Sequence, residues 1–377
     1  MAGHGICGWL FMNRAALWLI ISVSLLFSIG LLMVFNTTSA EIIDRSLDVN
    51  THTALIKQIT YGLVGLLVGL LVYSQGYQSF LRWSTPFLIG TTLLLILVFI
   101  PSIGQTLNGA RRWIGVGGFS FQPSECAKML IPICFIRWVL AQKEPIELKP
   151  FLRMLVLLSI PMGLILLEPD NGTTAIIFSC LIILFLLTRI RWVYWALPLM
   201  ALMGIGAIMA SRMPHVHDRI QIYMHPELDI QGKGHQPYQA KIAAGSGQFW
   251  GLGLGESLQK LNYLPEARSD YIAAIYAEER GFVGIVVLIA LYLAFAYAGF
   301  VVAMKATDRG GFLLASILTF LIAIQAFLNL GIVSGLLPSK GMTLPFFSQG
   351  GSSLIMNLVA LFLLLDIARD PKKVNVA

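Results

Sequence analysis

Ten apolar runs, most of them close to the length needed to cross a bilayer, leave this chain almost no other way to fold. A hydrocarbon core about 30 Å thick is spanned by roughly 20 helical residues. Runs of this kind occupy residues 17–35, 56–73, 87–103, 126–140, 155–167, 173–187, 192–210, 272–304, 312–336 and 354–367. Hydrophobic residues make up 57% of the 377 positions and charged residues only 12%, whereas soluble domains carry about a quarter charged. A soluble protein of this size has nowhere to bury so much apolar surface. The expected fold is therefore an all-α polytopic membrane protein of about ten transmembrane helices, forming one membrane domain over 1–377. The run 272–304 is too long for one straight span, so it should begin in a loop, tilt or kink.

Orientation follows from Lys and Arg in the short loops, which favour the cytoplasm. With a cytoplasmic N-terminus, the inner set is Arg14, Arg82, Arg137, Lys143, Lys149, Arg153, Arg189, Arg191, Lys305, Arg309, Arg369, Lys372 and Lys373. The outer short loops hold only Arg45, Lys57, Arg111, Arg112 and Lys340. Both termini are expected in the cytoplasm. The net charge of +7 mostly reflects this asymmetry and gives no reason to expect nucleic acid as a partner. The segment 1–14 is short and the first apolar run long, so a cleaved signal peptide is not expected. Cys7, Cys126, Cys134 and Cys180 show neither disulfide nor zinc spacing and read as small packing residues.

One connection breaks the rhythm of short loops. Residues 211–271, between the seventh and eighth spans, are expected to form a large extracytoplasmic loop. Tyr223, Tyr238, Phe249, Trp250 and Tyr263 are spread through it, which argues for an ordered, functional loop over a disordered one. The two halves of the chain lack the matched broken helices of an inverted-repeat transporter.

Four polar clusters stand out against the apolar background. In "LNGARRWIGVGGFSFQPSECAK", Pro123, Ser124 and Glu125 suit a helix start, and Glu125 and Lys128 share a helical face. With Arg111 and Arg112 they could either brace the membrane surface or recognise a phosphate-bearing lipid. "EPDNGTT" at 168–174 is a tight turn in which Asp170 or Asn171 could simply cap the next helix. In "GSGQFWGLGLGESLQKLNYLPEARSDY" the glycines lack the strand–helix context of a nucleotide site. Asp270 ends this stretch just before an apolar run, either as a helix cap or as a general base. Glu278 or Glu279, about two turns deeper, could pair with Arg280. Finally "GLLPSKGMTLPFFSQGGSS" carries Lys340 and Ser352 and follows a span in which Gln325 and Asn329 lie four apart. Irregular backbone at this depth suits a cavity wall better than a lipid-facing loop.

Together, "NGARRWI", "QPSE..K", "EPDNGT", "AAGSGQFWGLGLGESLQKLNYLPEARSDYIAAIYAEERGFVG" and "GLLPSKGMTLPFFSQGGSS" resemble the SEDS family of shape, elongation, division and sporulation proteins. The resemblance runs in order over nearly the whole chain, and "LLPSKGMTLPF" with "GGSS" is closer to the division member than to the elongation member. It implies a peptidoglycan glycosyltransferase that polymerises lipid II at the division septum, outside the cytoplasmic membrane, beside a class B penicillin-binding protein and other division proteins. It places the family's essential aspartate at Asp270, its charged outer cluster at Arg111, Arg112, Glu125 and Lys128, and its late-loop lysine at Lys340. Gln325 and Ser352 are counted with these as substrate-binding candidates. Two departures accompany it: Arg268-Ser269-Asp270-Tyr271 where the family usually reads "HTDF", and Gln349 where it usually has tyrosine.

In chemical terms, Asp270 would take the proton from an acceptor sugar's 4-hydroxyl as that oxygen attacks the donor's anomeric carbon. Negative charge then gathers on the departing polyprenyl diphosphate, where Arg111, Arg112, Lys128 and Lys340, with magnesium or manganese as an optional cofactor, could stabilise it. Two other classes fit the same pattern: a lipid II flippase and a non-catalytic scaffold for division proteins. Synthesis of glycan from lipid II already presented on the outer side separates the enzyme from both.

Overall fold

The computed structural model describes residues 14–45, 52–107, 110–116, 119–211, 223–230, 232, 234–260, 264, 267–338 and 340–369. Helices α1 (Arg14–Arg45), α2 (Thr53–Gln75) and α3 (Tyr77–Val98) lead into strands β1 (Gly104–Leu107), β2 (Ala110–Val116) and β3 (Phe119–Phe121). Then come α4 (Pro123–Leu140), α5 (Leu148–Leu167), α6 (Asn171–Leu187) and α7 (Trp192–Ser211). A 3-10 turn (Pro226–Asp229) and the short α8 (His235–Ser246) precede α9 (Ile272–Met304), α10 (Arg309–Val333) and α11 (Gly351–Ile367). All ten apolar runs lie wholly or mostly in helices, with turns at 99–103 and 334–336. Six of the helices (α1, α2, α3, α5, α9 and α10) are long and apolar enough by themselves to cross a membrane; α6, α11 and the first part of α7 are shorter apolar helices. The chain is a multi-pass membrane protein.

Local chemistry sets several of the ends. Pro123 occupies the first turn of α4, with Glu125 in that turn and Arg137 in the last, the arrangement the helix dipole favours. Asp170 caps α6 by accepting the Thr173 N–H at 3.2 Å. Asp308 caps α10 through the N–H groups of Gly310 and Gly311 at 3.1 and 3.3 Å.

Between spans, small residues let backbones approach, as expected where lipid removes the hydrophobic drive for helix association. A side chain at Gly65 would collide with Ile355 and Leu358, and one at Gly69 with the Phe362 ring, so α2 lies tight against α11. Cys134 and Cys180 are buried free thiols in α4 and α6 and Cys126 is half-buried; Cys7 lies outside the described residues.

The stretch expected as an outer loop around Arg111 and Arg112 is instead a small antiparallel sheet in the order β1-β2-β3, with Ile114 opposite Phe121. Its strands are too short and irregular in pattern to stand out beside the spans.

The long run 272–304 does kink. Gly281 adopts φ 64°, ψ −161° inside α9, a conformation open to glycine. Segment 247–253 fills the break. The N–H groups of Leu252 and Gly253 donate to the carbonyls of Glu278 and Glu279 at 3.0 and 3.2 Å, and those of Phe282 and Val283 donate to Gln248 and Phe249 at 2.9 and 3.2 Å. Irregular backbone is tolerable here because the two open helix ends satisfy it.

Side chains secure the same junction. Glu279, with no exposed surface, accepts from Lys260 Nζ at 3.1 Å and from Asn36 Nδ2 at 2.7 and 2.6 Å. Lys260 also donates to Asn36 Oδ1 at 2.9 Å and to the Gly255 carbonyl at 2.5 Å. Glu278 accepts from the Ser257 hydroxyl and the Leu258 N–H. The expected pairing of one of these acids with Arg280 is therefore corrected: Lys260 is the partner, and Arg280 is exposed.

At the opposite end of the bundle the polar contacts are of another kind. The Tyr77 hydroxyl donates to Asp308, the Tyr77 N–H to Asp366 at 2.7 Å, and Arg309 pairs with Glu144.

Candidate active site

A polar cleft of about 660 Å³ opens where α2, α4, α6 and α11 begin. The sheet forms one side of it, and the segment before α9 together with the loop after α10 closes the other. Asp270, Arg112, Glu125, Lys128, Gln325 and Ser352 all line it, as do Lys57, Asp170, Arg268, Thr343 and Gln349.

The floor is a connected network. Lys128, 2% exposed, donates to Glu125 at 2.6 Å and to Gln325 Oε1 at 2.8 Å. Gln325 passes its amide N–H to the Thr343 carbonyl at 2.8 Å. One turn on, Asn329 donates to the carbonyls of Asp270 and Met342 at 2.8 and 2.6 Å. The polar face of α10 thus ties the backbone of Asp270 to the loop after α10. Ser352 accepts the Gln122 N–H at 2.8 Å, joining α11 to the start of α4.

Asp270 is half-buried at the edge of this network, with its carboxylate over Gly341. A Cβ at 341 would stand 2.6 Å from Asp270 Oδ2, so glycine is the residue that leaves the carboxylate its place. Tyr271 holds the N-cap position of α9; Asp270 stands one residue before it, so the capping alternative is not the arrangement found. Asp170 caps α6 and lines the cleft as well, with Ser124 Oγ and Gln122 Nε2 each 3.3 Å from its Oδ2.

Arg112 reaches across from β2 to the turn between α5 and α6, donating to the carbonyls of Glu168 and Pro169 at 2.8 Å each. Beneath that guanidinium lies Glu168, 1% exposed, with neither carboxyl oxygen hydrogen-bonded. Burial, reinforced by the charge of Asp170 and opposed by Arg112, pushes the Glu168 carboxyl up to about 8.

Two candidates fall outside. Arg111 is exposed and donates to the Thr106 hydroxyl at 3.1 Å; Lys340 is exposed and does not line the cleft. On a strand, neighbouring side chains point to opposite faces, which sends Arg111 away when Arg112 faces inward. The sequence reading did not select Lys57, Gln58 or Tyr61 as site residues. They stand at the start of α2 without a motif, and only the loop cation Lys57 carried a signal.

The family described as cell cycle protein FtsW/RodA/SpoVE matches residues 16–373. A probable peptidoglycan glycosyltransferase FtsW of Trichlorobacter lovleyi is 36% identical over 359 residues, covering 94% of this chain and 93% of its own. The stage V sporulation protein E of Bacillus subtilis is 36% identical over 358 residues, covering 94% and 96%. A chain from a peptidoglycan synthase complex, described as coordinating polymerization and crosslinking, superposes with a TM-score of 0.76 at 26% identity, covering 96% of this chain and 99% of that one. The rod shape determining protein RodA of Thermus thermophilus shares the fold, with a TM-score of 0.67 at 24% identity over 96% and 98% of the two chains. With its helices, its cleft and these relatives in agreement, the chain belongs to the FtsW/RodA/SpoVE family.

Proposed function

We propose that this protein is a peptidoglycan glycosyltransferase that polymerises lipid II on the outer face of the cytoplasmic membrane during cell division. Asp270 is its general base. The observation that carries this reading is the meeting of Asp270 with Glu125–Lys128, Arg112 and Asp170 in one cleft, in a chain whose relatives include probable peptidoglycan glycosyltransferases. The excess of Lys and Arg in loops at the opposite end supports an outward-facing cleft, cytoplasmic termini and an extracytoplasmic 211–271 loop.

Asp270 accepts the proton of the acceptor hydroxyl as the new glycosidic bond forms and the bond to the donor's diphosphate breaks. The diphosphate leaves with the electron pair. General-base assistance of this kind is worth about 10²–10⁴ in rate. Lys128 stands ready-made beneath the reacting groups, its position fixed by Glu125 and Gln325, so its charge needs no rearrangement when the diphosphate departs. Arg112 acts chiefly on the protein, holding the turn that carries Asp170.

Among the described residues no three His, Cys, Asp or Glu side chains converge to cage a metal. Magnesium or manganese, were it bound here, would be held by a cleft carboxylate such as Asp270 together with the substrate itself. Such sharing is ordinary for magnesium. When bound, the ion would neutralise charge on the diphosphate.

A class B penicillin-binding protein is the partner we infer, on the strength of the synthase-complex relative, with other division proteins around it at the septum. The test is glycan synthesis by purified protein from added lipid II, with and without that partner and with and without magnesium or manganese. Asp270→Asn should insert and fold yet lose at least about a hundredfold in rate; turnover near the parent's removes Asp270 from the mechanism.

A further inference from the structure

Accounting for each cation in the cleft changes which of them is available to a ligand. Lys128 is committed to Glu125 and Gln325, Arg112 to two backbone carbonyls, and Arg268, the other arginine of the lining, is not free either. Lys57 lines the same cleft, half-buried, and has no hydrogen-bond or ion-pair partner among the described residues. It is also badly placed for its own helix. It lies close to the start of α2, whose first turn holds no acidic residue, and a cation there opposes the helix dipole.

Its neighbours are held firmly. Gln58, 1% exposed, donates to the Ser348 carbonyl at 3.0 Å and accepts the Gly350 N–H at 3.4 Å. Tyr61, a turn along, bonds to the Ser120 backbone at 3.1 Å. The base of Lys57 is therefore rigid while its ammonium is uncommitted.

The Gln58–Gly350 bond brings the wall of Lys57 against that of Gln349. Gln349 also lines the cleft, and its side-chain oxygen is buried without a hydrogen-bond partner. Its N–H donates to the Arg268 carbonyl at 3.0 Å, two residues before Asp270. One continuous wall thus runs from an uncommitted cation, past an acceptor lacking a donor, to the proposed base. Ile56, next to Lys57, and Leu63, further along α2, are exposed apolar side chains of a helix long and apolar enough to cross a membrane.

We propose that Lys57 and Gln349 form a sugar-diphosphate subsite: Lys57 binds the diphosphate of a polyprenyl-linked substrate, and Gln349 accepts a hydrogen bond from a hydroxyl of the attached sugar. The subsite rests on the glycosyltransferase reading and adds to it a residue pair outside the conspicuous motifs. An ammonium near the lipid boundary suits a diphosphate whose tail stays in the bilayer. A lone acceptor suits a hydroxyl and not the diphosphate, which has no proton to donate.

The test measures binding to an Asp270→Asn parent, so that turnover plays no part. The probes are fluorescent lipid II and undecaprenyl diphosphate, each titrated against purified protein in detergent. Lys57→Met should weaken both by about tenfold or more, Lys57→Arg should retain most of the affinity, and Gln349→Leu should weaken lipid II alone. Lys57→Met should melt no lower than the parent, because Lys57 makes no contact that holds the fold. Binding within twofold of the parent for Lys57→Met, or a fall in melting temperature alongside the loss of binding, overturns the role of Lys57. Equal weakening of both probes by Gln349→Leu overturns the sugar contact. A parent that binds neither probe overturns the glycosyltransferase reading along with the subsite.

Discussion

Replacing Lys260 by methionine tests what holds the large loop to the break in α9. The substitution keeps the length of the side chain and removes its charge. Three contacts disappear: Nζ to Glu279 at 3.1 Å, to Asn36 at 2.9 Å and to the Gly255 carbonyl at 2.5 Å. Glu279 is left fully buried with Asn36 as its remaining side-chain donor. Breaking a buried pair from one side costs about 3–5 kcal/mol, because the surviving charge stays in a medium that solvates it poorly. A cost of that size is comparable to what the four backbone bonds between segment 247–253 and the break supply, at about 1 kcal/mol net each, so the loop should open before the bundle does. Hydrogen exchange read by mass spectrometry on detergent-purified protein should report faster exchange at Leu252, Gly253, Phe282 and Val283, with the α2–α11 contact unchanged. Adding Glu279→Gln should restore much of the protection, since a neutral pair leaves no buried charge. The reasoning fails if Lys260→Met exchanges like wild type, or if the double variant is as exposed as the sum of the two single ones.

Other expectations follow from the same geometry. Gly341→Ala should place a methyl group against Asp270 Oδ2, cutting polymerisation at least about tenfold while the melting temperature moves little; unchanged rates would show that the carboxylate does not need that place. Glu168 has a folded-state value of about 8 against an ordinary 4.5, so the folded protein holds a proton that the unfolded chain releases. Stability should therefore decline as pH rises from about 4.5 to about 8, by at most about 1.4 kcal/mol per unit, and level off above that. Glu168→Gln should remove this slope, and melts at pH 5, 6.5 and 8 would detect its persistence. Arg112→Ala should lower activity by freeing two carbonyls of the turn that bears Asp170, whereas Arg111→Ala should change it less than twofold, as fits an exposed side chain; equal losses in a lipid II assay would contradict the split.

Much of this was legible in the chain, for physical reasons that differ from element to element. The spans announce themselves because a bilayer demands long apolar runs; Pro123 marks a helix start through its fixed backbone and Asp170 through its capping carboxylate. Glu125 and Lys128 could be paired from spacing alone, since three residues along a helix share a face. Arg111 and Arg112 could not be told apart, because no periodicity revealed that they lie on a strand. Lys340 was drawn in by its motif, yet the glycine beside it is what touches Asp270. Lys57 went unselected for the opposite reason: its importance lies in having no partner, a property that only three dimensions expose. The acid partner of Lys260 was equally hidden, as Glu279 lies 19 positions further along the chain, inside α9.

Four helices, α2, α4, α6 and α11, begin at the cleft. Each start carries about half an elementary positive charge from its aligned peptide units. These partial charges belong to the main chain, so they neither titrate nor disappear when a side chain is exchanged. A background attraction for anions is consequently written into the up-and-down path of the polypeptide, and individual lysines and arginines only decide where within that field a negative group comes to rest.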